Sequence, residues 1–452
     1  MKFIRITILE TVNKVGQEVL LKGWVNARRN MGKIVFLDLR DFSGIAQVVG
    51  VPSQLDEVSV EQLKQVRPEW VVEIRGIVNE RGEKQKNQNI PTGSVEVLAK
   101  EIKVLALAEP LPLDLEDEKI GLDVHLDYLP LTLRAPKWRA VFKIQGEIVE
   151  AFRSFLRSKG FTEFQCPKIV GASTEGGANV FAIDYFGNRA FLAQSPQFYK
   201  QIMVGVYERV FTVGNVYRAE EHATTRHLNE YTSLDLEMGM IQDHTDIMRL
   251  ETEWLRYLIS HLNKTAPEEL KLWNFIEPVV PETVPSFKLK EVLQLIKERT
   301  GVDHTNEPDL EPNEERWIGD YVKEKFNSDF VFVTHYPTAK RPMYTYPDEA
   351  DPDYTKSFDL LFRGIEVTTG GQRVNNYEQL VNNIKKWGLN PENFKFYLEA
   401  FQFGMPQEGG LAIGLERLTA KLLGIDNVKL ATLFPRDLNR IDLQISPPEY
   451  KK

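Results

Sequence analysis

Hydrophobic periodicity changes once along this sequence, and the change divides it into two kinds of chain. Up to about residue 105 the apolar residues alternate or run in short β-branched stretches, EVLLKGWV, KIVFLDLRD, IAQVVGV, EWVVEIRGIV and SVEVLAKEIKVL. From Pro136, a residue suited to the first position of a helix, the spacing is helical: Val141, Ile144, Ile148, Phe152, Phe155 and Leu156 share a face until Gly160 stops the run. Five short strands predict a small closed β-barrel over 1–105, with the polar stretch 80–93 as a surface loop. The Pro- and acid-rich stretch 106–135 reads as a hinge. In 136–452, strand-like runs (RAFLAQS, RVFTVGNVYRA, TSLDLEMGMI, FVFVTHY, SFDLLF, GIEVTT) interleave with helical ones (PQFYKQIMVG, HTDIMRLETEWLRYLISHLN, NYEQLVNNIKKWG, GLERLTAKLLG). Few βαβ alternations among so many strands predict an α+β domain, an antiparallel sheet flanked by helices.

Composition removes several classes of function. A chain of 452 residues, 42% hydrophobic, is too apolar to be largely disordered and too long for one ordinary core. No stretch approaches the roughly 20 apolar residues of a membrane span, and MKFIRITILETVNKVGQ has no long apolar run. A soluble, cytoplasmic protein with no membrane partner is expected. The single Cys166 excludes an intrachain disulfide framework and a cysteine-rich metal site. A net charge of −9 argues against a generic polyanion binder, although a local basic field is still open to it.

Three constellations in the second domain carry chemistry. Arg218 and Glu220 lie two apart on an expected strand and so face the same side, where one suits a phosphate and the other an amino group; a surface ion pair on a strand edge is the plainer alternative. GGLAIGLERL (409–418) reads as a glycine-rich turn entering a helix, with Gly414 and Arg417 near a helix N-terminus that favours anions; a buried strand-to-helix turn explains it equally. In FDLLFRGIEVTTGGQR (358–373), a two-residue turn at Arg363–Gly364 pairs Leu361 with Glu366 and Asp359 with Thr368. Asp359 and Glu366 then lie diagonally, roughly 7–8 Å apart. Two carboxylates that close need a proton or a cation between them, and Mg²⁺ bridging to phosphates is the common answer; two solvated acids on an exposed hairpin is the other.

In this order the three segments resemble the motifs of the class II aminoacyl-tRNA synthetases, with RSKGFTEFQCPKIV (157–170) similar to motif 1, YRAEEHATTRHLNEY to motif 2 and GGLAIGLER to motif 3. Within the class, TEGGANVF, QSPQFYKQIM, GGQR, GLNPENFKFYLEAFQFGMP and LFPRD resemble the aspartyl-tRNA synthetases of archaeal and eukaryotic type along nearly the whole chain. The resemblance implies an OB-fold anticodon-binding barrel, a class II catalytic domain, ATP and L-aspartate as substrates, Mg²⁺ with the ATP, a homodimer built through motif 1, and tRNA-Asp as partner. Whether tRNA-Asn is a second acceptor stays open.

The resemblance also implies roles, residue by residue. Arg218 and Arg417 are the catalytic arginines that hold the phosphates. Glu220 reads the adenine amino group, Tyr231 stacks on the adenine, His227 meets the γ-phosphate, and Gly414 and Glu366 complete the ATP site. Asp359 and Glu366 are the metal carboxylates. Lys200 and Arg373 clasp the aspartate side chain, with Glu175, Ser195, Gln197, Ser233 and Asp235 around the rest of the amino acid. Ser195–Pro196 reads as an N-cap followed by a helix-opening proline, which puts Gln197 and Lys200 on one face. In the barrel, Arg29, Phe36 and Gln47 match anticodon-reading positions, Phe36 by stacking and Gln47 by base-edge hydrogen bonds; Phe36 also fits as a plain core residue. Departures from the family pattern are Ala412 for glycine, Glu408 for histidine, and Asn375–Asn376 for a histidine-rich segment. They bear on side-chain preference, not on ATP chemistry. The alternatives are therefore an asparaginyl-tRNA synthetase, against which Lys200 argues, and a divergent paralogue of the same fold.

Overall fold

The computed structural model describes residues 4–115, 117, 119–171, 179–221 and 224–441. It divides into two compact units, Met1–Asp114 and Leu115–Lys452.

The smaller unit is a closed barrel of β1 (Glu18–Asn30), β2 (Val35–Arg40), β3 (Ile45–Gly50), β4 (Val71–Glu80) and β5 (Val95–Ala106), in the order β1-β2-β3-β5-β4. All five strands coincide with the alternating runs. Period-two alternation sends Leu21, Val25, Leu37, Leu39, Val48, Ile74 and Val97 inward, and all are essentially without solvent exposure. Phe36, between buried Val35 and Leu37, stands outside this core.

The stretch expected as a hinge is structured. Helices Leu122–Asp127 and Leu129–Thr132 occupy it, with Leu126 and Leu129 buried and the His125 ring tilted against Trp138 at 4.3 Å between centroids. From Leu115 onward it belongs to the larger unit.

The larger unit is built on β6 (Thr162–Glu163), β7 (Ile169–Val170), β8 (Ala182–Tyr185), β9 (Asn188–Leu192), β10 (Arg209–Tyr217), β11 (Glu230–Gly239), β12 (Ser286–Lys288), β13 (Phe330–Thr334), β14 (Ser357–Phe362), β15 (Ile365–Gln372) and β16 (Glu408–Gly414). Eight of them form one sheet, β12-β13-β14-β15-β16-β11-β10-β6, antiparallel except for the parallel pair at each edge. Strands β7, β9 and β8 form a small second sheet. The expected helix spans Pro136–Ser158 with Pro136 in its first turn, and Gly160 follows at φ +81°. Its apolar face packs with helices His244–Thr265 and Leu415–Leu423 on the sheet: Phe152 meets Phe211 and Trp254 edge-on at 5.8 and 5.5 Å.

The GGLAIG segment, expected as a turn, is strand β16. Its glycines answer to the neighbouring strand: a Cβ on Gly410 would lie 2.2 Å from both the Glu237 carboxylate and the Leu236 carbonyl. The turn itself shrinks to Gly414, the N-cap of the helix that carries Arg417.

Candidate active site

Segments far apart in sequence enclose a cavity of about 440 Å³ in the larger unit. Ser195, Gln197 and Lys200 reach it from the start of the helix Gln197–Tyr207, and His227 from the connection between β10 and β11; Arg218 and Glu220, expected on a strand, also lie in that connection, because β10 ends at Tyr217. Strand β11 contributes Tyr231 and Ser233. Glu366 comes from β15, Arg373 from just beyond it, and Gly414 and Arg417 from the end of β16 and the helix after it. Asp235 and Asp359 are buried and touch the cavity wall through other side chains. Glu175 lies outside the described residues. The helix begins one residue later than its sequence suggests: Pro196 is the N-cap, and Ser195 Oγ accepts from Gln197 N at 3.2 Å.

Three arginines converge on one part of this cavity. Asn229 shapes the connection by donating to the carbonyls of Arg218 (2.7 Å) and Glu220 (3.2 Å). The Arg218 guanidinium lies 5.7 Å from the Tyr231 ring centroid, a cation–π geometry. Arg417 donates to the Glu366 carbonyl at 2.9 Å and stands 3.7 Å from its carboxylate. Arg226, to which the sequence assigned no role, lines the same wall and bonds Glu315 at 2.9 Å. Burial pushes the Glu315 carboxyl up to about 7 despite that arginine. His227 shares a 2.7 Å hydrogen bond with the Thr224 hydroxyl. Burial lowers its pKa, and Arg417, Arg226 and Arg218 add to that against the pull of Glu220.

The hairpin that carries the two carboxylates turns at Arg363 and Gly364, both at positive φ, and Leu361 pairs with Glu366 as expected. A bulge then shifts the register, so that Asp359 pairs with Thr369 and not with Thr368. A resident cation already sits against one of the acids. Arg341, also unforeseen, bonds Asp359 Oδ2 at 2.6 Å and lies 3.9 Å over the Tyr336 ring. Burial pushes Asp359 up to about 6, with Arg341 opposing and Glu366 adding to the rise. Burial would also raise Glu366, but Arg417, the Thr369 hydroxyl (2.9 Å) and Arg341 outweigh it and hold that carboxyl low. Asp359 Oδ1 is a buried oxygen with no hydrogen-bond partner. An orphaned carboxylate oxygen with a second carboxylate near it fits a hard cation such as Mg²⁺. Among the described residues no group of three or more His, Cys, Asp or Glu side chains could hold a metal. The other ligands would have to come from phosphates and water.

The two cations expected to be free for a ligand are already paired. Lys200 Nζ is buried, 3.1 Å from Asp235 Oδ1, 3.2 Å from Glu237 Oε2 and 3.2 Å from the Leu411 carbonyl. Arg373 donates to Glu237 Oε1 at 2.8 Å and to the Gly410 carbonyl at 3.1 Å. Ser233 Oγ donates to Asp235 at 2.5 Å. Glu237 was missed, though Ser233, Asp235 and Glu237 alternate on one face of β11, a period-two series visible in the sequence. Glu408, one of the departures, is fully buried behind this group and accepts from Gln201 Nε2 at 2.8 Å. Burial and the nearby Glu237 raise its carboxyl well above the usual range.

In the smaller unit, Arg29 and Phe36 face each other across β1 and β2, and Gln47 opposes Asp38 across β2 and β3. Arg29 donates to Asp38 at 2.7 and 3.1 Å and to Gln47 at 3.2 Å, and Gln47 donates to Glu96 at 3.0 Å. An aromatic ring thus stands beside a line of hydrogen-bonding groups on the outside of the barrel.

A model of the family described as tRNA synthetases class II (D, K and N) matches residues 121–438, and one described as an OB-fold nucleic acid binding domain matches 19–105. The chain is 46% identical to the aspartate–tRNA(Asp/Asn) ligase of Thermus thermophilus over 441 residues, covering 97% of this chain and all of the relative. It is 36% identical to the aspartate–tRNA(Asp) ligase of Pyrococcus abyssi, covering 96% of this chain and 98% of that one. Among solved structures it resembles asparaginyl-tRNA synthetase from Pyrococcus horikoshii complexed with asparaginyl-adenylate, with a TM-score of 0.89 at 29% identity and coverage of 97% and 100%. The aspartyl-tRNA synthetase of Entamoeba histolytica gives a TM-score of 0.85 at 30% identity, with coverage of 97% and 93%. No helix among the described residues is long and apolar enough to cross a membrane.

Proposed function

The chain belongs to the class II tRNA synthetases of the aspartate, lysine and asparagine group, and on that footing we propose that it is an aspartate–tRNA ligase. The observation that carries the reading is that one cavity is walled both by the Arg218–Arg226–Arg417 cluster and by the Lys200–Arg373 network. In the first step an α-carboxylate oxygen of aspartate attacks the α-phosphorus of ATP. The bond to the β-phosphate oxygen breaks and pyrophosphate leaves. In the second step a ribose hydroxyl at the tRNA 3′ end attacks the adenylate carbonyl and AMP leaves.

The protein's part is positioning and charge stabilisation. Arg218 holds the α-phosphate, with Tyr231 and Glu220 set to stack on and read the adenine. Arg417 and His227 hold the tail of the triphosphate. Lys200 and Arg373 orient the aspartate side chain, while Gln197, Ser233 and Asp235 line the approach to its amino group. Asp359 and Glu366 would hold Mg²⁺, which supplies neutralisation of phosphate charge when bound. Arg29, Phe36 and Gln47 read the anticodon of tRNA-Asp, and tRNA-Asn is a second acceptor to be tested. A homodimer through the motif 1 segment belongs to the same proposal.

A second reading has an observation in its favour. Because Asp235 and Glu237 already balance Lys200 and Arg373, the pocket is less hostile to asparagine than two free cations would make it. Aminoacylation of tRNA-Asp and tRNA-Asn with labelled aspartate and with labelled asparagine decides. Charging with aspartate supports the proposal, and charging with asparagine alone replaces it with an asparaginyl enzyme.

A further inference from the structure

The rim of the cavity carries a tryptophan that none of the roles above uses. Trp387 lines the cavity yet is 37% exposed, so it is not there to fill a core. It is the C-cap of the helix Tyr377–Lys386, and backbone hydrogen bonds close the helix around it. Its N–H donates to the Asn383 carbonyl at 3.0 Å, and Gly388 at φ +72° lets the Leu389 N–H close on the Ile384 carbonyl at 3.1 Å. Leu380 and Ile384 anchor the helix in a buried cluster with Met343 and Tyr344, and Asn383 Nδ2 donates to the Met343 carbonyl at 2.9 Å. That segment also carries Lys340 on the cavity wall.

The charge around the ring is positive in a chain of net charge −9. Lys340 and Lys386 are exposed and make no ion pair among the described residues. On the helix, Lys386 directly precedes Trp387 and lies nearer to it round the axis than Lys385 does.

We propose that Trp387, with Lys386 and Lys340, is the docking place for the single-stranded 3′ end of the tRNA as it enters the cavity, one base stacked on the indole and the backbone phosphates against the lysines. The inference rests on the ligase reading, because that reaction requires an RNA end to reach the adenylate while the inner walls are taken up by ATP and the amino acid. Exposed aromatic faces stack bases with little sequence preference, and lysines beside them hold the backbone.

The test uses the full-length enzyme and a tRNA-Asp transcript, measuring aspartate-dependent ATP–pyrophosphate exchange without tRNA and kcat/KM for tRNA charging. Trp387→Ala is expected to leave exchange within about twofold and to lower charging by about tenfold to a hundredfold. Trp387→Phe should recover most of the loss and Trp387→Leu should not. Lys386→Glu should weaken charging more than Lys385→Glu does. Charging at the parental rate in Trp387→Ala overturns the inference, as does exchange falling together with charging, since the ring would then serve the small substrates. A parent enzyme with no exchange on aspartate or asparagine overturns the ligase reading itself, a different result from either of these.

Discussion

Replacing Lys200 by methionine tests whether the Lys200–Arg373 end of the cavity, where we propose the amino acid binds, is held together by charge closure. The Lys200 ammonium lies 3.1 Å from Asp235 and 3.2 Å from Glu237, and it is essentially without solvent exposure. A pair at that distance is worth about 5 kcal/mol at an effective dielectric near 20, and desolvation of the lysine offsets part of it. Methionine keeps much of the length and volume, so the loss is chiefly the cation. Glu237 would then keep Arg373, and Asp235 would keep only the Ser233 hydroxyl. We expect the variant to lose about 3–5 kcal/mol of stability, measured by urea unfolding followed through tryptophan fluorescence. Asp235→Asn should cost less, and adding it to Lys200→Met should restore about 1–3 kcal/mol. Selectivity follows the same geometry. A charge-assisted hydrogen bond is worth about 1.5–3 kcal/mol, so the parent should prefer aspartate over asparagine by about tenfold to a hundredfold in kcat/KM for exchange. In Lys200→Met that advantage should shrink toward unity. Parental stability in Lys200→Met, or an aspartate advantage unaffected by the loss, would refute the closed network and with it the role of Lys200.

Arg218→Ala should lower exchange by at least a hundredfold with the unfolding curve unchanged, because the phosphate contact it removes is worth on the order of 3 kcal/mol; exchange within a few-fold of the parent takes Arg218 out of the site. Phe36→Ala should reduce tRNA charging and leave exchange intact, since Phe36 projects outside the barrel core; an equal loss in both assays contradicts an anticodon role. Burial pushes the Glu251 carboxyl up to about 8, so the native state keeps a proton that the unfolded chain releases near its ordinary value of 4.5. Stability from this group therefore falls as pH rises from 4.5 to about 8, and Glu251→Gln should flatten that slope and stabilise by on the order of 1–3 kcal/mol at pH 8.5; unfolding curves at pH 5 and 8.5 check the sign. Burial likewise raises the Cys166 thiol, so slow reaction with a thiol reagent is expected, and light scattering at micromolar concentration should give a dimer mass.

Much of the architecture was legible because it rests on local rules. Alternation found the five barrel strands, and Pro136 and Gly160 bracketed a helix whose inward residues were named from spacing alone. The Arg363–Gly364 turn was legible because two residues ending in glycine separate two strand-like runs, and the structure puts both at positive φ, as a two-residue hairpin requires. What escaped was decided by neighbours distant in sequence. Strand β16 reads as a turn by composition, and only the crowding of Gly410 against Leu236 and Glu237 explains glycine in a central strand. Arg341 and Glu315 lie outside every motif and acquire meaning only from Asp359 and Arg226. Glu237 is the instructive miss. It extends a visible alternation, but a buried glutamate becomes expected only once Lys200 and Arg373 are known to need a shared counter-charge.

The bulge in β15 explains how one strand serves both ends of the cavity. Glu366 and Arg373 are seven residues apart, an odd separation that would put them on opposite faces of a regular strand. Both line the cavity. The extra residue near Val367 resets the alternation, so Thr369 joins Glu366 on the cavity side while Thr368 turns toward Glu251 on the helix His244–Thr265. Beyond the bulge regular alternation carries the cavity side from Thr369 to Arg373, where the guanidinium meets Glu237. A strict period-two reading can place Glu366 or Arg373 on the cavity face, not both. The bulge aims both at one cavity, and it also sets Asp359 opposite Thr369, which is Glu366's own hydrogen-bond partner, while Arg341 bonds Asp359 and its charge helps hold the Glu366 carboxyl low.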